Sequence, residues 1–154
     1  MLAGADRDPS WVDAILAWRG TWLLARIALA SAYLLGGIVK LADFPAAIAE
    51  QEHFGLYPGV VWATLAIVVE LGGSALVISG RLVWLGAGAL GVLTGIACLV
   101  ADNFWTLQGP ARLMVMNSFF EHIGLIAGFV LAALTAASAK RLRDNNNPFI
   151  TEHA

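Results

Sequence analysis

Residues 60–79 read VVWATLAIVVELGGSALVIS, an apolar stretch interrupted by a single ionisable residue, Glu70. About 20 apolar residues in a helix match the ~30 Å hydrocarbon core of a bilayer. A charged side chain at that depth costs roughly 2.5–3.5 kcal/mol on insertion scales, so it normally faces the protein interior and is paired. The stretch therefore predicts a membrane-spanning helix whose carboxylate belongs to a polar site inside a helix bundle.

The composition of the whole chain excludes an ordinary soluble domain. Of 154 residues, 59% are hydrophobic and 13% are charged, whereas soluble domains carry about 25% charged residues. Four segments have the length and hydropathy of a span: residues 21–42, 59–79, 82–101 and 117–139. We therefore predict an all-α membrane protein, a four-transmembrane-helix bundle formed by residues 21–139.

Segments outside the spans have predicted structures of their own. In residues 1–20, Ser10 followed by Asp13 resembles a capping box that opens a helix. The apolar stripe of this helix predicts an amphipathic segment lying at the membrane interface, and it consists of Trp11, Ile15, Trp18 and Trp22. Residues 45–53 predict a short helix after the first span. Residues 140–154 predict a flexible tail.

Basic residues predict the orientation of the bundle. Most of them fall on the side that carries both termini, namely Arg7, Arg19, Arg81, Lys140, Arg141 and Arg143. Because cytoplasmic segments carry an excess of Lys and Arg, both termini are predicted to be cytoplasmic. The other side, here called the trans side, then receives the two longer connections, residues 43–58 and 102–116.

Several classes of function are not expected from this sequence. A net charge of −2 gives no electrostatic reason to expect a nucleic-acid partner. The sequence has no Gly-rich phosphate loop and no zinc-ligand spacing, so no metal site is predicted. Cys98 is the one cysteine, which excludes an internal disulfide and thiol–disulfide exchange by this chain alone. No covalently bound cofactor is implied.

The depths of the charged residues predict which of them meet. Counted from the cytoplasmic side, the backbones of Arg26 and Glu70 differ in height by only ~5 Å at 1.5 Å per residue. We therefore predict a buried Arg26–Glu70 ion pair. Lys40, Glu121 and His122 lie near the trans side and are predicted to form a second polar cluster.

Glycines four residues apart predict where the helices pack, because small residues let membrane helices approach each other closely. Such pairs occur on the third span at Gly91 and Gly95, and on the fourth at Gly124 and Gly128. Glu121 shares a helix face with the second pair, so it is expected to point into the bundle. Further close-approach points are expected at residues 36–37, 72–73, 86 and 88.

Short sequences on three of the spans resemble the DoxX family of small bacterial membrane proteins. They are RIAL at 26–29 with GGIVKLAD at 36–43, ELGG at 70–73, and NSFFEHIG at 117–124. The resemblance covers about residues 22–139 and implies a four-helix bundle in the bacterial inner membrane. In the best-known system of this type, a related subunit belongs to a thiosulfate:quinone oxidoreductase. The resemblance thus implies a quinone and partner subunits.

The first functional hypothesis is a membrane subunit that supports quinone-linked oxidoreduction together with a partner. His122 and Glu121 would exchange protons in such a subunit, since histidine changes its charge near physiological pH. Lys40, Trp105 and His122 would line the quinone pocket. The sequence leaves open whether this chain is itself an enzyme, because it contains no complete catalytic constellation.

The alternative hypothesis is a non-catalytic accessory subunit that assembles with or stabilises a larger membrane complex. In that case the Arg26–Glu70 pair, and a second pair between Lys40 and Glu121, are structural. A small transporter is the least favoured option, because we find no internal repeat and no proline within a span.

Overall fold

The computed structural model describes residues 9–146, and helices dominate this part of the chain. The six α-helices are α1 (Ser10–Ala17), α2 (Arg19–Ala42), α3 (Phe44–His53), α4 (Gly59–Ser79), α5 (Val83–Ala101) and α6 (Gly109–Asn145), with a 3₁₀ turn at Phe104–Thr106. No strand occurs between residues 9 and 146. The prediction of an all-α protein is confirmed.

Four of these helices, α2, α4, α5 and α6, are long and apolar enough to cross a membrane. Consecutive long helices pack side by side, whereas α2 and α6, which close the bundle, touch each other only sparsely. The bundle therefore has one end with both termini and the α4–α5 turn, here called the termini end. The opposite end carries α3 and the connection from α5 to α6.

The fourth span differs from its predicted bounds, because α6 begins at Gly109 and continues to Asn145. Its 37 residues measure ~55 Å at 1.5 Å per residue, well beyond a ~30 Å hydrocarbon core. Residues that were predicted as a loop, 109–116, thus form its first two turns. The helix also includes residues 140–145 of the predicted flexible tail; residues 147–154 lie outside the described part of the chain.

The N-terminal helix α1 is separate from α2, because Trp18 between them has an extended backbone with ψ of 127°. The Thr21 hydroxyl donates a hydrogen bond to the Ile15 carbonyl across this break, at 2.6 Å. The predicted capping box is wrong: Pro9 is the N-cap, Ser10 is already helical, and no side chain caps the helix. Residues 1–8 of the predicted N-terminal segment lie outside the described residues.

The short helix α3 lies at the opposite end and packs mainly on α4. The Asp43 carboxylate caps it by accepting a hydrogen bond from the Ala46 N–H at 3.1 Å, and Pro45 occupies its first turn. Gly55 follows with a φ of +77°, a left-handed conformation that glycine adopts without strain. The predicted helix over 45–53 is therefore present.

The centre of the bundle is small and tightly packed. Its buried cluster contains Ala30 and Tyr33 of α2, Val77 of α4, Ala87 and Leu90 of α5, and Phe129 of α6. The Tyr33 and Phe129 rings meet edge to face with centroids 5.4 Å apart. Large apolar side chains elsewhere point outward: Leu99 is 70% exposed and Met114 75%. That exposure is what a lipid-facing surface requires.

Candidate functional site

A buried ion pair lies at the centre of the candidate site. Lys40 Nζ donates a hydrogen bond to Glu70 Oε1 at 2.9 Å, joining the end of α2 to the middle of α4. The side chains are 20% and 10% exposed, respectively. The second carboxylate oxygen, Glu70 Oε2, is buried and has no hydrogen-bond partner among residues 9–146. The pair therefore keeps an unused acceptor, and the ammonium group has two further protons to donate.

The structure corrects the predicted partner of Glu70, which is Lys40 and not Arg26. Side chains on a helix lean toward its N-terminus. Because α2 and α4 run in opposite directions, Lys40 and Glu70 lean toward each other. Arg26 leans toward the termini end as Lys40 does, but it starts nearer that end, so the lean takes it away from Glu70 and its guanidinium lies against Gly80 after the last turn of α4. A positive charge is favourable there, because carbonyl groups end a helix without partners.

Two cavities meet at this ion pair. The first has a volume of about 230 Å³, and its wall includes Tyr33, Gly36, Thr94 and His122 together with the pair. The second, of about 240 Å³, lies under α3 and extends past Trp62 to Val100. Pockets for drug-sized ligands measure about 300–1,000 Å³. Each cavity therefore suits a single ring or headgroup, while the two together offer room for a longer molecule.

A hydroxyl pair borders the first cavity. The Thr94 hydroxyl donates to the Leu90 carbonyl at 2.7 Å, and its oxygen lies 2.6 Å from the Tyr33 hydroxyl oxygen. Since a hydroxyl has one proton, Tyr33 is the donor of the second bond. The bond ties α2 to α5 across the bundle.

We expect Tyr33→Phe to lower the free energy of unfolding by only about 0.5–1.5 kcal/mol. The ring keeps its contact with Phe129, and Thr94 keeps its bond to Leu90, so one interhelical bond is lost. Unfolding in mixed micelles would measure the change. A loss as large as that of a core truncation would mean that the hydroxyl has a second, larger role.

A second polar cluster lies at the opposite end, between α5 and α6. Asp102 is only 7% exposed, and its Oδ2 accepts a hydrogen bond from His122 Nδ1 at 2.6 Å. Its Oδ1 accepts another from the Ser118 hydroxyl at 3.0 Å. Cys98, 2% exposed, lies one helical turn before Asp102. Donor atoms of Cys98, Asp102 and His122 all lie within 4.8 Å of one another.

Asp102 belongs to this polar cluster although it falls within a predicted loop. The sequence pattern that indicates the cluster is a pair of four-residue spacings, Cys98 to Asp102 and Ser118 to His122. Each spacing places its two side chains on one helix face, and the two helices are neighbours in the chain. These donors come together only in three dimensions, so no metal-ligand spacing is visible in the sequence.

The remaining predicted site residues are divided by the fold. His122 and Lys40 both line the first cavity. Glu121 is exposed on α6, so its predicted inward orientation is wrong. The predicted pair between Lys40 and Glu121 is also wrong, because Lys40 pairs with Glu70. Trp105, 55% exposed, packs against Phe104 and Phe119 at the bundle surface. Trp62 of α4 is the indole that lines a cavity beside the ion pair.

These features define a small multi-spanning helical membrane protein with an ion pair inside the bundle. A family model described as DoxX matches residues 21–103, more than half of the chain. The protein therefore belongs to the DoxX family. The matched region holds Lys40, Glu70, Cys98 and Asp102, and it ends before His122.

A curated relative extends the similarity along most of the chain. Inner membrane protein YphA of Escherichia coli (strain K12) is 23% identical over 117 residues, which cover 76% of this chain and 84% of the relative. No solved structure matches the chain significantly.

Proposed function

We propose that this chain is a quinone-binding membrane subunit that supports an oxidoreductase whose redox cofactors lie on a partner subunit. The observation that carries the proposal is the Lys40–Glu70 pair, with its unpartnered buried oxygen Glu70 Oε2, between two headgroup-sized cavities. A buried acceptor without a partner costs about 1–3 kcal/mol, so a ligand that donates to it would be stabilised. The resemblance to the DoxX family adds the thiosulfate:quinone oxidoreductase as the type of partner system.

The residues of the site fit both oxidation states of a quinone. The free N–H groups of Lys40 can donate to a quinone carbonyl oxygen, whereas Glu70 Oε2 can accept from a quinol hydroxyl. When bound, a quinone supplies the capacity to take up two electrons and two protons. The electrons would come from the substrate oxidised on the partner subunit. His122, backed by the Asp102 carboxylate, would pass protons into the first cavity.

Weakened binding of a short-chain quinone to variants of the ion pair would test this proposal. We expect Glu70→Gln and Lys40→Met to lower the affinity in nanodiscs by about ten- to a hundredfold, since each removes a hydrogen bond to a charged group. Gly36→Ala offers a variant that keeps both charges. Its Cβ would lie 3.5 Å from Glu70 Oε2, an ordinary contact distance, and would occupy the space for the headgroup.

Exposed charges provide the matched controls for this measurement. Glu121→Gln removes a carboxylate from the outer face of α6, and Lys140→Met removes an ammonium group near its end. Both should leave the affinity unchanged. A photoreactive quinone should label residues that line the two cavities, Trp62 and Leu93 among them. Equal affinity in all variants, or labelling confined to the lipid-facing surface, would contradict the proposal.

The exposure of α6 favours a second candidate function, that of an accessory subunit in a larger membrane complex. Within this 37-residue helix only Phe129 is buried. The exposed residue Glu121 lies about one helical turn after Ser118. An ionisable side chain near membrane depth normally has a protein partner. A partner helix on this face would cover Glu121. Purification in nanodiscs, followed by mass spectrometry of the bound proteins and quinones, separates the two functions.

We also propose that the chain lies in the bacterial inner membrane with both termini in the cytoplasm. Its relative from Escherichia coli is named an inner membrane protein, and the basic residues of the termini end support the orientation. Reporter fusions at the C-terminus and within residues 103–108 would test the orientation.

A further inference from the structure

We infer that Cys98, Asp102 and His122 form a binding site for one transition-metal ion of the zinc(II) type. They offer a thiol, a carboxylate and an imidazole, the three side-chain groups that bind zinc in proteins. Their donor atoms already lie within 4.8 Å of one another. A tetrahedral site with bonds of about 2.0–2.3 Å needs donors roughly 3–4 Å apart. Side-chain movements of about 1 Å would bring the three donor atoms to these distances.

The fold holds these donors in place without a metal. Cys98 lies in the last turn of α5 and Asp102 is its C-cap residue, whose N–H donates a hydrogen bond to the Cys98 carbonyl at 3.2 Å. His122 comes from α6, and α5 and α6 form the most extensive helix contact in the described chain. Two helices packed along their length fix the separation of the donors better than loops do.

A fourth residue orients the carboxylate as in established metal sites. The Ser118 hydroxyl donates to Asp102 Oδ1, which leaves Oδ2 on the side of His122. Hydrogen bonds of this kind to metal-binding carboxylates typically change metal affinity by about 10–100-fold. The His122 side chain is 34% exposed while Asp102 is 9%, so the site has one accessible side where water can complete the coordination.

Charge and proton balance favour a divalent ion. A dication bound to one thiolate and one carboxylate forms a neutral unit, which suits a buried position of low dielectric constant. Binding releases the thiol proton of Cys98 to solvent, while the imidazole proton moves from Nδ1 to Nε2 so that Nδ1 binds the ion. The thiolate favours zinc over calcium or magnesium, since these prefer oxygen ligands.

The experiment is a titration of the full-length protein in detergent, purified without a polyhistidine tag and treated with a chelator and a phosphine reductant. Cobalt(II) is the first probe, because a cobalt–thiolate bond gives a charge-transfer absorption band. Cys98 is the one cysteine of the chain, so any such band reports this residue. We expect a band that saturates at one equivalent and disappears when zinc(II) displaces the cobalt.

Variants separate this site from weaker binding elsewhere. Cys98→Ala should abolish the band, and Asp102→Asn and His122→Gln should each lower the cobalt affinity at least about tenfold. His53→Gln, which changes an exposed histidine on α3, should have no effect. Zinc should also raise the melting temperature of the unchanged protein, a measurement that does not depend on the folding of any variant.

Two results would overturn the inference. One is the absence of a cobalt–thiolate band together with no effect of zinc on the melting temperature. The other is a band of unchanged affinity in Asp102→Asn and His122→Gln, which would show that the cysteine binds cobalt without these partners. His122 is shared with the proposed quinone cavity. In contrast, Cys98 lines neither cavity beside the ion pair, and Lys40 and Glu70 contribute no ligand to the metal. Loss of the cobalt band in Cys98→Ala and loss of quinone affinity in the Lys40 and Glu70 variants therefore test the two proposals separately.

Discussion

Replacing Lys40 or Glu70 by methionine is expected to destabilise the bundle by about 3 kcal/mol, whereas replacing both should cost much less. Each single change leaves one charge at membrane depth without its partner. In the double variant no charge remains, and the two thioether side chains fill a similar volume. The measurement is the free energy of unfolding in mixed micelles, in a double-mutant cycle.

The loss of stability in each single variant depends on whether the remaining charged side chain can reach water. Lys40 is near the end of α2 and its side chain is 20% exposed, so it can extend toward the opposite end of the bundle when Glu70 is absent. Glu70 lies in the middle of α4 and has no such route, except by taking up a proton. We therefore expect Lys40→Met to cost at least as much as Glu70→Met.

Arg26 provides the control for this cycle. Arg26→Met should cost about 1 kcal/mol or less, the size of a favourable charge at a helix C-terminus, and it should add to the effect of Glu70→Met without coupling. Coupling of Arg26 with Glu70, and additivity of Lys40 with Glu70, would show that the sequence-based pairing was right after all.

The spans were predictable because each depends on a property of one segment. Length and hydropathy over residues 59–79 are enough to place α4 at Gly59–Ser79. The cap at Asp43 and the glycine at 55 likewise act within a few residues, and α3 follows from them. The fourth span was bounded too narrowly, since hydropathy marks the part of a helix inside lipid and not where its backbone hydrogen bonds end.

The partners of the charges were not predictable from depth alone. Counting residues gives the height of a backbone, yet a Lys or Arg side chain adds several ångströms in a direction set by the helix. For Glu70 this direction decides in favour of Lys40 over Arg26. The role of Asp102 is not predictable for a related reason, because this residue follows the last residue of α5, within a predicted loop, but still faces α6.

Glycine spacing also gave an incomplete prediction of the packing. A Cβ added at Gly91, Gly95 or Gly124 would meet nothing within 4 Å outside its own helix. The close approaches expected at Gly37, Gly73 and Gly86 are confirmed, and a Cβ on Gly86 would be 2.7 Å from the Gly73 carbonyl oxygen. The spacing of glycines shows that one face of a helix carries small residues. Whether that face meets a neighbouring helix depends on the rotation of both helices about their axes.

Gly86→Ala is therefore expected to destabilise the bundle by up to about 3 kcal/mol, at the upper end for overpacking. The added methyl group would meet a backbone carbonyl and the Leu76 Cβ at 2.8 Å, and neither can rotate away. Helices α4 and α5 would have to separate, which would loosen Leu90 and Val77 in the core. Unfolding in mixed micelles measures the loss.

Gly88→Ala and Gly91→Ala on the same helix are the matched controls for this change. Neither added methyl group meets an atom within 4 Å outside the helix, and alanine is the better helix former by up to about 1 kcal/mol. Both should be neutral or slightly stabilising. If Gly91→Ala were instead as damaging as Gly86→Ala, the residue-91 face would have to be a packed interface, either with a second chain or with a partner subunit.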